Sequence, residues 1–192
     1  MNIVISGVGG QGTILASKIL AEAAKQSGAE FVRTGETIGM SQRGGSVLSF
    51  LREGNISSPY IQKGGADLLL SFELCEGARN LPYLKKGGNA VINTAKIKPL
   101  SVSLGNAVYD EAAITGYINE NSSATFIDAE KIAVSLGNAK CINIVMLGAA
   151  FGKGFLNFGK ETLIEAIKST VKPQFTELNI NAFEKGIEAT EL

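Results

Sequence analysis

The chain has 192 residues, 45% of them hydrophobic, with 18 Lys/Arg against 18 Asp/Glu; it can bury one substantial core and carries no net field that would draw it to nucleic acid or an anionic membrane. Histidine is absent, which removes the commonest general base, the Ser-His and Cys-His nucleophile pairs and most zinc chemistry. The two cysteines, Cys75 and Cys141, stand far apart in apolar contexts and are too few for an iron-sulfur cluster or a structural zinc site, each of which wants about four ligands.

No stretch approaches the roughly 18 apolar residues of a membrane span, and MNIVISGVGG lacks the basic and apolar regions of a signal peptide. A soluble, cytoplasmic protein with no nucleic-acid or membrane partner and no metal site is the expectation. Without repeats, low-complexity tracts or a linker, the chain reads as a single domain spanning 1–192.

In chain order, Asn2 to Ser6 is a β-branched strand, followed by a glycine cluster and then TILASKILAEAAKQSG, where Ile14, Leu15, Ile19, Leu20 and Ala23 recur at helical spacing. Gly28 closes that helix, and Glu30 to Arg33 is expected as a second strand. Ser46 to Leu51 is a third. DLLLSF, from Asp67 to Phe72, is the apolar run of a parallel strand covered on both faces, and both of these strands are expected in the middle of the sheet. A helix is expected over residues 73 to 81, ended by Lys86-Gly87-Gly88, and a strand over Ala90 to Asn93. The segment from Lys96 to Ser122 suggests a short strand near Val108 and a helix around residues 111 to 121, before a strand at Thr125 to Ile127 and a helix from Asp128.

CINIVMLGAAFG is apolar nearly all round, Asn143 excepted, and its small residues would let another backbone come close. Deep core and a homodimer contact both fit it. Two amphipathic helices follow, with stripes Leu163, Ile164, Ile167, Val171 and Phe175, Leu178, Ala182, Phe183, Ile187. Alternating strands and helices predict an α/β fold, a Rossmann-like, doubly wound, mostly parallel sheet.

Two motifs carry chemistry. GVGGQG places Gly7, Gly9 and Gly12 in G-x-G-x-x-G spacing between a strand and a helix; such a turn offers bare N–H groups and the positive end of a helix to a phosphate, or simply lets the helix pack closely. The acidic residue that would hold a ribose about 20 residues later is missing, since Arg33 and Thr34 stand there and Glu36 comes after, so NAD binding is weakly supported. A Walker loop is excluded, because no Gly-Lys-Ser/Thr follows. The second motif, GETIGMSQRGGSV, sets Gln42 and Arg43 between Gly39 and Gly44-Gly45. A guanidinium fork flanked by glycines suits a two-point clamp on phosphate or carboxylate, or an ordinary ion pair. Loops after strand C-termini gather at one sheet edge, so both motifs are expected to face one crevice.

These residues carry a resemblance. GVGGQG, MSQRGGSV, GGADLLLSFELCEGARNLPYLKKGG and LNINAFEKG, in that order across nearly the whole chain, resemble the gamma-type subunit of 2-oxoacid:ferredoxin oxidoreductases, and the last stretch favours the indolepyruvate branch. The resemblance implies a subunit, not active alone, of an enzyme that oxidatively decarboxylates an arylpyruvate to its acyl-coenzyme A and passes electrons to ferredoxin. It implies that thiamine diphosphate, magnesium and iron-sulfur clusters reside in a larger partner subunit, consistent with the lack of a Gly-Asp-Gly stretch leading to Asn-Asn here. The residues expected at a coenzyme A phosphate, or facing the thiamine site, are Gly7, Gly9, Gly10, Gln11, Gly12, Gln42, Arg43 and Gly44; none is expected to be catalytic. Ile38 stands where members of the branch often carry His. A docking subunit of a pyruvate or ketoisovalerate enzyme and a free-standing nucleotide-binding oxidoreductase are the alternatives.

Overall fold

The computed structural model describes residues 1–37 and 45–191; Ile38, Gln42, Arg43 and Gly44 lie outside the described residues. The strands are β1 (Asn2–Val8), β2 (Val32–Glu36), β3 (Ser46–Glu53), β4 (Ala66–Ser71), β5 (Leu84–Asn93) and β6 (Ser123–Ile127). They form one sheet in the order β2-β3-β1-β4-β5-β6. The pairings β1·β4, β4·β5 and β5·β6 are parallel, whereas β2·β3 and β1·β3 are antiparallel. The helices are α1 (Thr13–Gln26), α2 (Leu74–Asn80), α3 (Leu100–Ser103), α4 (Glu111–Asn121), α5 (Ala129–Ser135), α6 (Ile142–Gly152), α7 (Lys160–Thr170) and α8 (Thr176–Glu188).

Helices cover both faces. Ile3, Ile5, Leu68 and Leu70 point to α1 and α5–α8, while Val4, Leu48, Leu69 and Ile92 point to α2 and α4. Each fully buried side chain of this kind contributes about 1.5–3 kcal/mol, and β4 buries all its positions except the partly exposed Asp67, as its unbroken apolar sequence requires. Because α1 follows β1 onto one face and α2 follows β4 onto the other, the chain changes sides between these neighbours, and a crevice opens at their C-terminal ends.

Three expectations need correction. The second strand runs later than Glu30 to Arg33: Gly28 adopts φ 86 and ends α1, Gly54 donates to the Phe31 carbonyl, and pairing begins at Val32 opposite Glu53. It is an edge strand, so β3 stands second from the edge in the sheet's antiparallel wing. No strand forms at Val108; Pro99 opens the short helix α3, and Gly105, at φ 75, follows its end. Gly87 and Gly88 do not end a helix but sit inside β5, where the register with β4 shifts between Ala66 and Leu68.

Helix α6 answers the question that its composition raised. Its small residues are spent inside the molecule, since a Cβ on Gly148 would strike the Phe183 backbone and one on Gly186 the Val145 backbone. The α6 and α8 backbones are therefore in direct contact, flanked by Phe151 and Phe183 with ring centroids 5.6 Å apart. That face is core, and it is not free to make a homodimer.

Candidate functional site

The glycine turn lies where β1 ends. Gly9 donates to the Gly45 carbonyl at 2.9 Å, and Val8 pairs with Ser46. Thr37 donates to Leu48 across the β2–β3 wing. Residues 37 and 45, which bracket the segment carrying Gln42, Arg43 and Gly44, thus sit at the same sheet edge as the glycine turn.

The turn's residues divide into two kinds. Gly7 and Gly12 are tight: a Cβ on Gly7 would approach Gln11 Oε1 at 2.9 Å, and one on Gly12, which is left-handed at φ 83, would approach Asn143 Nδ2 at 2.6 Å. Gly10, at φ 104, faces open space. The first turn of α1 has no side-chain cap and no acidic residue, so its leading N–H groups and the positive end of the helix point towards the crevice.

Gln11 behaves differently from the ligand contact that the motif suggests. Its Oε1 accepts from the Val8 N–H at 2.7 Å and its Nε2 donates to the Phe72 carbonyl at 2.8 Å. Asn93 Nδ2 donates to the same carbonyl at 3.0 Å. One side chain therefore bridges the ends of β1 and β4, the position across which a dinucleotide lies in a nucleotide-binding Rossmann fold.

The other lip of the crevice was not foreseen. Glu73, only 1% exposed, caps α2 by accepting from the Glu76 N–H at 2.8 Å, and its second oxygen accepts from the Ile97 N–H at 3.1 Å and the Tyr109 hydroxyl at 2.7 Å. Glu76, also buried, accepts from Ser46 Oγ at 2.5 Å and Arg79 at 2.7 Å. These groups enclose a cavity of about 180 Å³ lined by Val8, Gly45, Ser46, Glu73, Glu76, Arg79, Ile97, Pro99 and Leu100. The only sequence sign was a carboxylate directly after the DLLLSF strand, where a parallel sheet places its ligands. Burial, and then the Glu73 carboxylate, push the Cys75 thiol up, so the thiol is not an activated nucleophile. Burial and the hydrogen bond to Glu73 likewise push the Tyr109 hydroxyl up. Among the described residues no group of three or more His, Cys, Asp or Glu could hold a metal ion.

Residues 2–189 match the family model of pyruvate ferredoxin/flavodoxin oxidoreductase. The chain belongs to this family. It is 39% identical to the indolepyruvate oxidoreductase subunit IorB of Archaeoglobus fulgidus over 97% of this chain and 93% of that one. Its identity to the subunit of the same name from Thermococcus kodakarensis is 40%, over 99% and 96%. The pyruvate synthase subunit PorC of Methanocaldococcus jannaschii is 31% identical over 96% of this chain and 93% of that one. Among solved structures, the keto/oxoacid ferredoxin oxidoreductase gamma subunit from Geobacter sulfurreducens matches with a TM-score of 0.71 and 26% identity, covering 99% of this chain and 98% of that chain. The same fold makes up 31% of one longer chain in 2-oxoglutarate:ferredoxin oxidoreductase from Magnetococcus marinus, with a TM-score of 0.73, 24% identity and all of this chain covered. This family member is thus a gamma-type oxidoreductase subunit, and the family resemblance carried by its four motifs holds. No helix among the described residues is long and apolar enough to cross a membrane.

Proposed function

We propose that the chain, acting as one gamma-type unit over residues 1–192 in the cytoplasm, is the small subunit of an arylpyruvate:ferredoxin oxidoreductase and completes an active site held mainly by a larger subunit. The relatives named for indolepyruvate share 36–40% of its residues and the pyruvate relative 31%, which supports an arylpyruvate as the 2-oxoacid. Thiamine diphosphate with magnesium and iron-sulfur clusters, in the larger subunit, supply the decarboxylation and the electron transfer to ferredoxin. In this reading the chain's own part is to bind and orient.

The observation that carries this reading is the Gly9 to Gly45 hydrogen bond, which joins the uncapped start of α1 to the exit of the arginine segment. A phosphate of coenzyme A would find bare N–H groups on the α1 lip, open space beside Gly10 and, in this reading, the Arg43 guanidinium with Gln42 and Gly44. The α2 lip carries the buried carboxylates of Glu73 and Glu76, so charge directs the anion to the α1 side. The bridge made by Gln11 disfavours a free-standing dinucleotide enzyme.

The test is Arg43→Ala in the assembled enzyme. Losing a charged hydrogen bond costs about 1.5–3 kcal/mol, or roughly ten- to hundredfold in affinity, so the Michaelis constant for coenzyme A should rise by that factor with assembly intact. An unchanged constant in a normally assembled enzyme rules out the clamp, and loss of assembly instead would assign Arg43 to docking.

A further inference from the structure

Between β5 and α4 the chain makes a tongue whose base is stapled twice. Glu73 Oε1 accepts from the Ile97 N–H at one end and the Tyr109 hydroxyl at the other, and Lys96 pairs with Glu111 at 2.5 Å across the same base. This is the close-ended geometry of an Ω-loop. From Pro99 to Tyr109 it contains no charged residue, yet it turns Leu100, Leu104 and Val108 outward at 73%, 65% and 88% exposure. Single exposed apolar residues are ordinary, but three on one anchored loop whose outer stretch is uncharged mark a contact surface.

We infer that this tongue is the docking surface for the larger subunit, an inference that rests on the reading that such a subunit completes the site. Pro99 and Leu100 also line the 180 Å³ cavity, so a partner seated on the tongue covers the mouth of the candidate site. The partner's matching face is apolar and uncharged. An anionic membrane or nucleic acid would need a cluster of basic residues, whereas the tongue between Ile97 and Tyr109 carries only Lys98, at its base, and a second copy seated here would set two mouths against each other and shut out the cofactor-bearing subunit. In the Magnetococcus enzyme this fold is 31% of one longer chain.

The test compares the full chain, Leu104→Glu/Val108→Glu and the control Val134→Glu for binding to the co-expressed, cofactor-loaded larger subunit by biolayer interferometry, with circular dichroism and light scattering on each. Val134 is 58% exposed on α5, so none of these changes disturbs the core. The expected result is unaltered folding in all three, tight binding by wild type and control, and at least tenfold weaker binding by the tongue variant. Equal binding by the tongue variant, or equal weakening by the control, overturns the inference and leaves the proposed function standing. Loss of a dimer with subunit binding intact overturns it in favour of a second copy. Failure of the wild type itself to bind overturns the reading beneath it.

Discussion

The amide of Gln11 donates to the carbonyl of Phe72 at 2.8 Å while its oxygen accepts from the Val8 N–H at 2.7 Å, so a side chain in the glycine turn laces β1 to β4. Both bonds are partly buried, and leaving such groups unpaired costs about 1–3 kcal/mol. Gln11→Ala should therefore lower the melting temperature by several degrees, at roughly 2–4 °C per kcal/mol for a chain of this size, and should still bind neither NAD nor NADP in calorimetric titration. Dinucleotide binding by the wild type would contradict the reading of Gln11 as a bridge across the dinucleotide's position.

The close approach of Gly12 to Asn143 gives a double-mutant cycle. Gly12→Ala meets both a left-handed backbone at φ 83 and the Asn143 amide at 2.6 Å, and the backbone part alone costs about 1–2 kcal/mol. In an Asn143→Ala background the clash is gone, so the added loss on denaturant unfolding should shrink towards the backbone part. Gly10→Ala, at φ 104 in open space, should show the backbone cost alone.

Gly148 and Gly186 are where α6 and α8 touch backbone to backbone. Backbone cannot move aside as a flexible side chain can, and overpacking costs about 1–3 kcal/mol or more. Gly148→Ala should be among the most damaging single-methyl changes in the chain, read as a large fall in urea midpoint. A neutral result would mean that this interface is looser than described.

Tyr109 sets a pH dependence. Its hydroxyl is held above its ordinary value by burial and then by donation to Glu73. A group whose folded pKa is raised contributes stability that is fully present below its unfolded pKa, about 10 for Tyr, and that is lost as pH rises towards the folded value. Stability should thus fall on titrating above pH ~10, and Tyr109→Phe should lack that component. At pH 7 the same substitution should cost about 0.5–1.5 kcal/mol and speed amide exchange in residues 97–109.

What was legible in the sequence was local. The β1, glycine turn and α1 order, the closure of α1 at Gly28 and the buried character of β4 follow from period and punctuation, which neighbouring residues decide. The antiparallel wing was not legible, because the direction in which β3 joins β1 depends on pairing partners more than forty residues away, such as Asn2 and Arg52. For the same reason Asn143 stood out as the polar exception in an apolar helix, but its partner Gly12 did not, being 131 residues distant. The glycine motif marked the turn after β1 but not the role of Gln11 within the fold, since an amide can serve ligand or backbone equally well. Glu73 and Glu76 were passed over because a charged residue in a short helix ordinarily faces solvent; only tertiary contacts with Ser46, Ile97 and Tyr109 bury them.

The most direct measurement is reconstitution. Purified larger subunit, loaded with thiamine diphosphate and iron-sulfur clusters, is assayed for arylpyruvate-dependent ferredoxin reduction with and without this chain, at varied coenzyme A. Reduction that requires both this chain and coenzyme A, with neither protein active alone, is the expected result. Full coenzyme A-dependent turnover by the larger subunit alone, or turnover by this chain without it, would contradict the account.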